Sequence, residues 1–415
     1  MSTDDQSQED YGLAAAAAAY DPYPAYARIR EEAPVHYNPL WQGWIVSRYA
    51  DVAAAFRHPG LSANRMGAYS RVLPPPMLEK VAPLIRNLGS WVLMMDPPGQ
   101  SRVRSLLAGA FTPRFIEGLR PRISAAVDRL LDAVAGQASF DVIESLAYPL
   151  PVQVIGDMLG LPPEDGERLK GWSDALATFL GVARIEPQVV AAAVRAVVEM
   201  EMYFTRVIEA RRQQPGDDLV SLMVQAHDQE GRLSDQELLS SCVAILFGGH
   251  ETTTNLIGNA VHLLLKNPEQ LARLRADPSL IDTAVEEVMR YEAPVQRMGR
   301  VSVADVELSG ATIPAGNRVY LVMAAANRDP GQFADADAFD VGRKENRHLA
   351  LGIGVHYCLG AALGRLEAKI ALTELLRRFP GLALDPAEAP VWIDNITIRG
   401  LKKLPVLTGE AAAAS

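Results

Sequence analysis

The chain has 415 residues, with 40 Lys plus Arg against 50 Asp plus Glu and a formal net charge of −10. Apolar residues make up 49% and charged residues 22%, globular proportions that exclude collagen-like, disordered and supercharged chains. The acidic balance argues against a nucleic-acid partner, which needs a basic face, and two cysteines, Cys242 and Cys358, do not make a disulfide framework.

Residues 1–19 read as a flexible leader and 20–410 as a single folded domain. The start carries Asp4, Asp5, Glu9 and Asp10 in place of the basic region of a secretory signal. The longest apolar run, Tyr11–Tyr20, is too short to span a bilayer. The expectation is a cytoplasmic protein with no membrane contact. DPYPAYARIREE (21–32) predicts a short helix, and HYNPLWQGWIVSRY (36–49) a β-hairpin of aromatic and β-branched residues around a Pro/Gly break. Leu61–Leu93 is rich in Pro, Met and Ser without a steady period, and is expected to be a mobile loop over a pocket.

Residues 114–292 are expected to be largely helical. Ser234 followed by Glu237 is a capping box. The helix it opens runs over 235–266, about 48 Å, until Asn267-Pro268 stops it. Its middle, Cys242–Gly249, is apolar on all sides and is expected to be buried. Residues 299–326 switch to strand character with turns at Gly310 and Pro314-Ala315-Gly316, and ITIRGLKKLPVL (396–407) reads as a closing hairpin. The fold class is mainly α with a small β portion.

The segment HLALGIGVHYCLGAALGRLE (348–367) carries chemistry. Gly352, Gly354 and Gly360 surround Cys358, and a regular helix follows from Ala361. Glycines ahead of a helix let backbone N–H groups point at a cysteine sulfur. Those donors and the positive helix end stabilise a thiolate, which is then a metal ligand or a nucleophile. A structural cysteine is the plainer reading, and Cys242 receives it. A dinucleotide loop is disfavoured because Tyr357 stands where the third glycine is needed. A Cys–His nucleophile is disfavoured because His356 and Cys358 are poorly spaced for a directed base.

Phe247-Gly248-Gly249-His250-Glu251-Thr252-Thr253 lies near the centre of the long helix. Each interior glycine costs roughly 1 kcal/mol relative to alanine, and close approach of a flat ligand to the backbone would compensate. Thr252 can bond to a carbonyl one turn back, and a carboxylate beside a hydroxyl can relay protons. A zinc-protease HExxH motif fails because position 254 is Thr254.

The string GxGxHxCLG, Gly352 to Gly360, resembles the haem-binding loop of the bacterial cytochromes P450, which are soluble haem-thiolate monooxygenases. The resemblance extends from DPYP at 21–24 to LPV at 404–406. It implies the triangular, mainly α P450 fold, with haem b (iron protoporphyrin IX) between the long central helix and the cysteine-loop helix. Cys358 would be the axial thiolate and only metal ligand, pushing electron density onto iron. His356 would bond a haem propionate, as would Gln100 and Arg104 of DPPGQSRVR (96–104) and Arg300, with Gln100 replacing the commoner histidine. The segment around Glu251 and Thr252 is similar to the family's (A/G)-G-x-(D/E)-T groove, whose acid and alcohol deliver protons to dioxygen. Glu287 and Arg290 match the family's ExxR, and Arg343 of FDVGR matches the third member of a buried structural network. Leu351 stands where the family usually has phenylalanine.

The resemblance implies insertion of one oxygen atom from O2 into a small or medium apolar substrate, by hydroxylation or epoxidation. Ala244, Phe247, Gly248, Val295, Gln296 and Thr397 would line the substrate pocket. No electron-transfer domain is fused to the chain, so electrons would come from a separate ferredoxin and ferredoxin reductase. A basic face of Arg102, Arg104, Arg343, Lys344, Arg347 and Arg365 would dock the acidic donor. Three rivals stay open: a haem-thiolate reductase using reduced nicotinamide directly, a non-catalytic haem-binding module, and a thiol-dependent hydrolase without haem.

Overall fold

Helix ends in this chain are set by local signals. The computed structural model describes residues 10–13, 20–109, 111–181, 186–228 and 233–409. In chain order its principal helices are α1 (Tyr23–Glu32), α2 (Arg65–Val72), α3 (Pro75–Gly89), α4 (Gly99–Ala108), α5 (Pro149–Leu159), α6 (Gly166–Gly181), α7 (Pro187–Gln213), α8 (Asp235–Lys266), α9 (Ile281–Tyr291) and α10 (Ala361–Arg378). The α8 capping box forms as its spacing predicts: the Ser234 hydroxyl accepts from the Glu237 N–H, and the Glu237 carboxylate accepts from the Ser234 N–H. The helix ends at Lys266 before Asn267-Pro268.

α8 is the axis of the molecule, packed against α5, α6, α7, α9 and α10. Its burial differs from the expectation. Cys242, Val243, Ile245 and Leu246 are buried, but Ala244 and Phe247 are only partly covered and Gly248 is exposed, because they face a cavity. The most continuously buried stretch is Thr253–Leu264, where neighbouring helices cover every side.

The β portion is a five-stranded sheet of β1 (Val35–Asn38), β2 (Gly43–Val46), β3 (Leu61–Ser62), β4 (Met298–Ser302) and β5 (Arg318–Leu321), in the order β1-β2-β5-β4-β3. β1 and β2 form the predicted hairpin, with Val35 opposite Val46, and β2 pairs in parallel with β5. Gly310 and Gly316 take φ of +79° and +85° at the predicted turns. Tyr11 and Leu13, within the stretch expected as leader, are buried against Ile29, Trp41 and Ile45. Residues 14–19, which hold most of the apolar run Tyr11–Tyr20, lie outside the described residues.

Two further expectations are corrected. Leu61–Leu93 is not a loop but mostly α2 and α3. Pro75 sits in the first turn of α3, where its missing N–H costs nothing, and Val81, Leu84 and Leu88 form a buried stripe at helical spacing. Pro83, inside the helix, obscured that stripe. Residues 396–407 do not close a hairpin: Leu401–Lys403 pairs with Val391–Trp392, whereas Pro405–Leu407 pairs with Ser139–Asp141 and Ala383–Leu384. Only Leu404 separates the two strands, too little chain to reverse direction, so it runs on into a second sheet.

Candidate active site

The loop before α10 is shaped by glycine. Gly352 and Gly354 take φ of +65° and +70°, conformations that other L-residues rarely adopt. The fold-back they allow lets the Cys358 N–H donate to the Leu351 carbonyl at 2.8 Å. Cys358 is exposed to the cavity, but the protein around its sulfur desolvates it and pushes the thiol up, while the Gly360 N–H bonded to the sulfur, Arg104 and Arg365 act in the opposite direction. A coordinated metal would decide that contest, because it deprotonates a ligating thiol outright. Cys242 is different: it is buried within α8, and burial pushes its thiol up as for a core residue. Among the described residues no group of three His, Cys, Asp or Glu side chains can hold a metal, so Cys358 acts as a lone protein ligand or not at all.

Cys358 opens onto a cavity of about 560 Å³. α8 supplies one wall through Ala244, Phe247, Gly248, Gly249, Thr252 and Thr253. The two glycines answer to different demands. A Cβ at Gly249 would come within 2.7 Å of Ile155 on α5, whereas one at Gly248 would meet open space. Gly249 therefore lets α5 and α8 close together, and Gly248 keeps the wall flat. The Thr252 hydroxyl donates to the Gly248 carbonyl at 3.2 Å, the bond one turn back that the sequence suggests. Trp91 stands beside Phe247 with ring centroids 5.3 Å apart.

One edge of the cavity is cationic. Arg65, Arg104, Arg300 and His356 all line it. Arg300 is 2% exposed; its Nη1 donates to the Gly299 carbonyl, but its Nη2 is buried with no hydrogen-bond partner. Burial first, then Arg65, draws the Arg300 guanidinium down to about 10. His356 is drawn down to about 4, by burial first and then by Arg300. The nearby Asp96 carboxylate is already taken by the Ser62 hydroxyl and the Ala63 N–H. A ligand that brings its own carboxylates to this edge satisfies it. A lone cysteine sulfur, a flat wall and a cationic edge fit a planar dicarboxylate metal chelate such as haem.

Comparison with known proteins bears on the same residues. The family model described as Cytochrome P450 matches residues 185–398. Cytochrome P450 monooxygenase PikC of Streptomyces venezuelae is 43% identical, with 96% of this chain and 93% of that protein covered. The chain belongs to the cytochrome P450 family. It is an oxidoreductase of the P450 monooxygenase class. Another P450 relative, the vitamin D(3) 25-hydroxylase of Pseudonocardia autotrophica, is 37% identical over 95% of both chains. The P450 fold is shared with P450BioI, solved in complex with hexadec-9Z-enoic acid-ligated acyl carrier protein, at a TM-score of 0.87 and 36% identity over 94% of this chain and 98% of that one. P450 chemistry uses haem, dioxygen, an organic substrate and redox partners. Among the described residues no helix is long and apolar enough to cross a membrane.

Within this P450 the predicted residues fall into two groups. Cys358, His356, Arg104, Arg300, Thr252, Ala244, Phe247, Gly248, Val295 and Thr397 line the cavity. Gln100, Glu251 and Gln296 do not. Gln100 is fully buried and its Nε2 donates to the Val355 carbonyl at 2.7 Å, so it braces the cysteine loop and is not placed at the cationic edge. Gln296 turns into the protein, its Nε2 donating to the Ala293 carbonyl. Glu251 points toward α6.

Glu287, Arg290 and Arg343 come together as predicted. Glu287 and Arg290 are fully buried and joined by two 2.8 Å bonds, and Arg343 Nε lies 3.1 Å from Glu287 Oε2. Arg290 also donates to the carbonyls of Asn327, Ala336 and Ala338. Buried charge is tolerated when every donor is satisfied in this way. Asn327 in turn accepts from the Leu349 N–H, which ties the network to the cysteine loop.

The proposed basic face is smaller than the sequence suggests. Arg104 lines the cavity, Arg102 pairs with Glu237, Arg343 with Glu287 and Arg365 with Glu286. Lys344 and Arg347 are exposed, and exposed Arg57 lies close to Gly354 of the cysteine loop. Sequence reasoning missed Arg65 and Trp91 in the cavity wall, because their stretch read as a loop. It also missed the Glu286–Arg365 clamp, for which an acid beside Glu287 was the only signal.

Proposed function

We propose that the chain, through its single domain over 20–410, is a cytoplasmic haem b monooxygenase that takes electrons from a separate ferredoxin and its reductase. It inserts one oxygen atom from O2 into an uncharged, largely apolar molecule by hydroxylation or epoxidation. The observation that carries this reading is the opening of Cys358 onto the same cavity as Gly248 and Thr252 of α8.

When bound, haem iron supplies dioxygen binding and the activation of its O–O bond. The chain's residues do the rest. Cys358 would ligate the iron, its backbone fixed by the Leu351 carbonyl and its sulfur facing the Gly360 N–H. Arg65, Arg104, Arg300 and His356 would hold the propionates, with the buried Arg300 Nη2 gaining the partner it lacks. Gln100 and the Glu287–Arg290–Arg343 network hold the loop from behind. Thr252 would hold the last proton before the reacting oxygen, and Glu251 would replenish it.

Away from the cationic edge, Trp91, Leu93, Phe179, Leu180, Phe247 and Ile398 make the wall apolar. That lining disfavours a charged substrate, since a buried charge without a partner is costly. Relatives named for vitamin D(3) hydroxylation and solved with epothilone B or testosterone fit the same class.

The test is spectroscopic, then chemical. Reduced protein with carbon monoxide should absorb well to the red of a histidine-ligated haem. Cys358→His should remove that band and Cys242→Ala should keep it. Titration with steroids, terpenoids, macrolides and fatty acids should shift the spin state with the uncharged members, and a ferredoxin system should turn a shifting compound into a mono-oxygenated product. Retention of the band in Cys358→His, or product formed from reduced nicotinamide without ferredoxin, would overturn the reading.

A further inference from the structure

Among the described residues, six side chains of the cavity wall carry a hydroxyl, and five of them are bonded within the protein. Thr252 donates to the Gly248 carbonyl at 3.2 Å, Thr253 to the Gly249 carbonyl at 3.3 Å and Tyr320 to the Trp41 carbonyl at 3.2 Å. Tyr357 accepts from Arg365 Nη1 at 3.2 Å, and Thr397 from Arg297 Nε at 3.3 Å. Ser241 is the sixth. It lines the cavity from α8 and is only 2% exposed, yet among the described residues its hydroxyl has no hydrogen-bond partner. A helical serine can bond the carbonyl one turn back, and Ser241 does not. Its neighbour Ser240 is engaged on another face of the helix, where Gln236 Nε2 donates to its hydroxyl oxygen at 2.8 Å.

We propose that Ser241 reads the substrate, and that the substrate is an uncharged, largely apolar molecule with a hydroxyl or carbonyl oxygen on the order of 10 Å from the carbon that is oxidised. The inference rests on the monooxygenase reading above, which places the reacting carbon beside Gly248 and Thr252. Ser241, Ala244, Gly248 and Thr252 follow one another at three- and four-residue spacing, so they share the face of α8 that the cavity exposes. Seven residues take the helix from Ser241 to Gly248, about 10 Å along its axis. A molecule lying along this face brings its oxygen to Ser241 when its reacting carbon is at Gly248.

The chemistry of a lone hydroxyl sets the substrate class. It donates to a carbonyl or accepts from an alcohol. A pure hydrocarbon would leave it buried and unpaired, which costs free energy. A carboxylate would set a full charge against a neutral group that cannot hold it. Between Ser241 and Gly248 the cavity face of α8 offers only Ala244, Ile245 and Phe247, so the serine is an isolated polar point on an apolar wall. Two further polar side chains of the wall are engaged elsewhere. Trp91 donates its indole N–H to Asn87 Oδ1 at 2.9 Å, and Asn87 Nδ2 donates in turn to Glu201 Oε1 at 2.9 Å. The Arg297 guanidinium, besides its bond to Thr397, lies 4.0 Å from the Trp41 ring centroid and 4.5 Å from that of Tyr320.

The test is Ser241→Ala in the ferric holoenzyme, with Ser241→Thr as the variant that keeps a hydroxyl. Two probe pairs, each a ketone and its deoxygenated skeleton, are titrated by the spin-state shift: androstanone with androstane, and methyl undecyl ketone with tridecane. In Ser241→Ala the affinity for the ketones should fall about tenfold, the size of one hydrogen bond, while that for the hydrocarbons holds. Ser241→Thr should retain most of the ketone affinity, and the carbon monoxide band should be unchanged in both variants. A loss of packing alone would weaken both members of a pair alike, so the ratio of ketone to hydrocarbon affinity separates recognition from structure. With a plant-type ferredoxin and its reductase, the wild type should oxidise androstanone mainly on the ring farthest from its ketone, and Ser241→Ala should spread the product over several positions. A ketone-to-hydrocarbon ratio that is the same in wild type and Ser241→Ala overturns the proposal, as does an unchanged product distribution. If no probe shifts the spin state of wild type with a normal carbon monoxide band, the apolar-substrate reading fails and the proposal fails with it.

Discussion

The Cys358 N–H donates to the carbonyl of Leu351, seven residues earlier, at 2.8 Å. The chain folds back under the sulfur, and the Leu351 side chain lies in the same cavity wall as Cys358. Leucine here is shorter than the phenylalanine usual in the family. Leu351→Phe should exclude water from the thiolate side and so disfavour the more negative reduced state. The substrate-free potential should fall by about 30 mV, equivalent to about 0.7 kcal/mol for one electron, with the thiolate spectrum kept. Spectroelectrochemical titration of both proteins measures it, and an unchanged potential would mean that Leu351 does not shield the sulfur.

Thr252 is the hydroxyl that α8 presents to the cavity one turn beyond Gly248. Thr252→Ala should bind haem and consume reductant normally. Its ratio of product to reductant should fall about tenfold as protons arrive in the wrong order, and hydrogen peroxide should rise in proportion. Parallel assays of product, reductant and peroxide check this; an unchanged ratio removes Thr252 from the relay.

Electron delivery should depend on the small exposed basic face. Lys344→Glu should slow reduction by an acidic ferredoxin about three- to tenfold at low salt. It should leave substrate titrations intact, because Lys344 is exposed and does not line the cavity. Raising salt should slow the wild type toward the variant, since screening acts beyond about 10 Å at 0.1 M. Stopped-flow reduction across a salt series decides it, and a salt-independent rate would place the donor elsewhere.

Glu286 ties α9 to α10, accepting from Arg365 Nη2 at 2.9 Å and facing His348 Nε2 at 3.1 Å. Burial raises its carboxyl, but the bonds from Arg365 and His348 outweigh it and hold it at about 2. A folded-state value below the unfolded one adds stability above the ordinary carboxylate range, and that stability is lost as pH falls toward 2. Glu286→Gln should cost about 1–2 kcal/mol at neutral pH, and the gap from wild type should shrink as pH is lowered through the carboxylate range. Urea midpoints over that range test the sign; a gap independent of pH would show that packing, not charge, is lost.

Features that neighbouring residues complete among themselves are readable along the chain. A cap three residues from its partner, glycines flanking a cysteine, and an acid and arginine one turn apart are complete within a short stretch of chain, so α8, the cysteine loop and the Glu287–Arg290 pair were legible. Their combination in order also made the family readable. Helix α3 was misread although its signal is local, because Pro83 interrupts the stripe of Val81, Leu84 and Leu88. The tertiary structure alone decided which way side chains turn and whom they meet. Gln100 goes to the cysteine loop, Gln296 goes inward, and Arg65 joins Arg300. Those outcomes depend on contacts between segments far apart in sequence, whose pairing is fixed only when α5, α6 and α10 pack around α8.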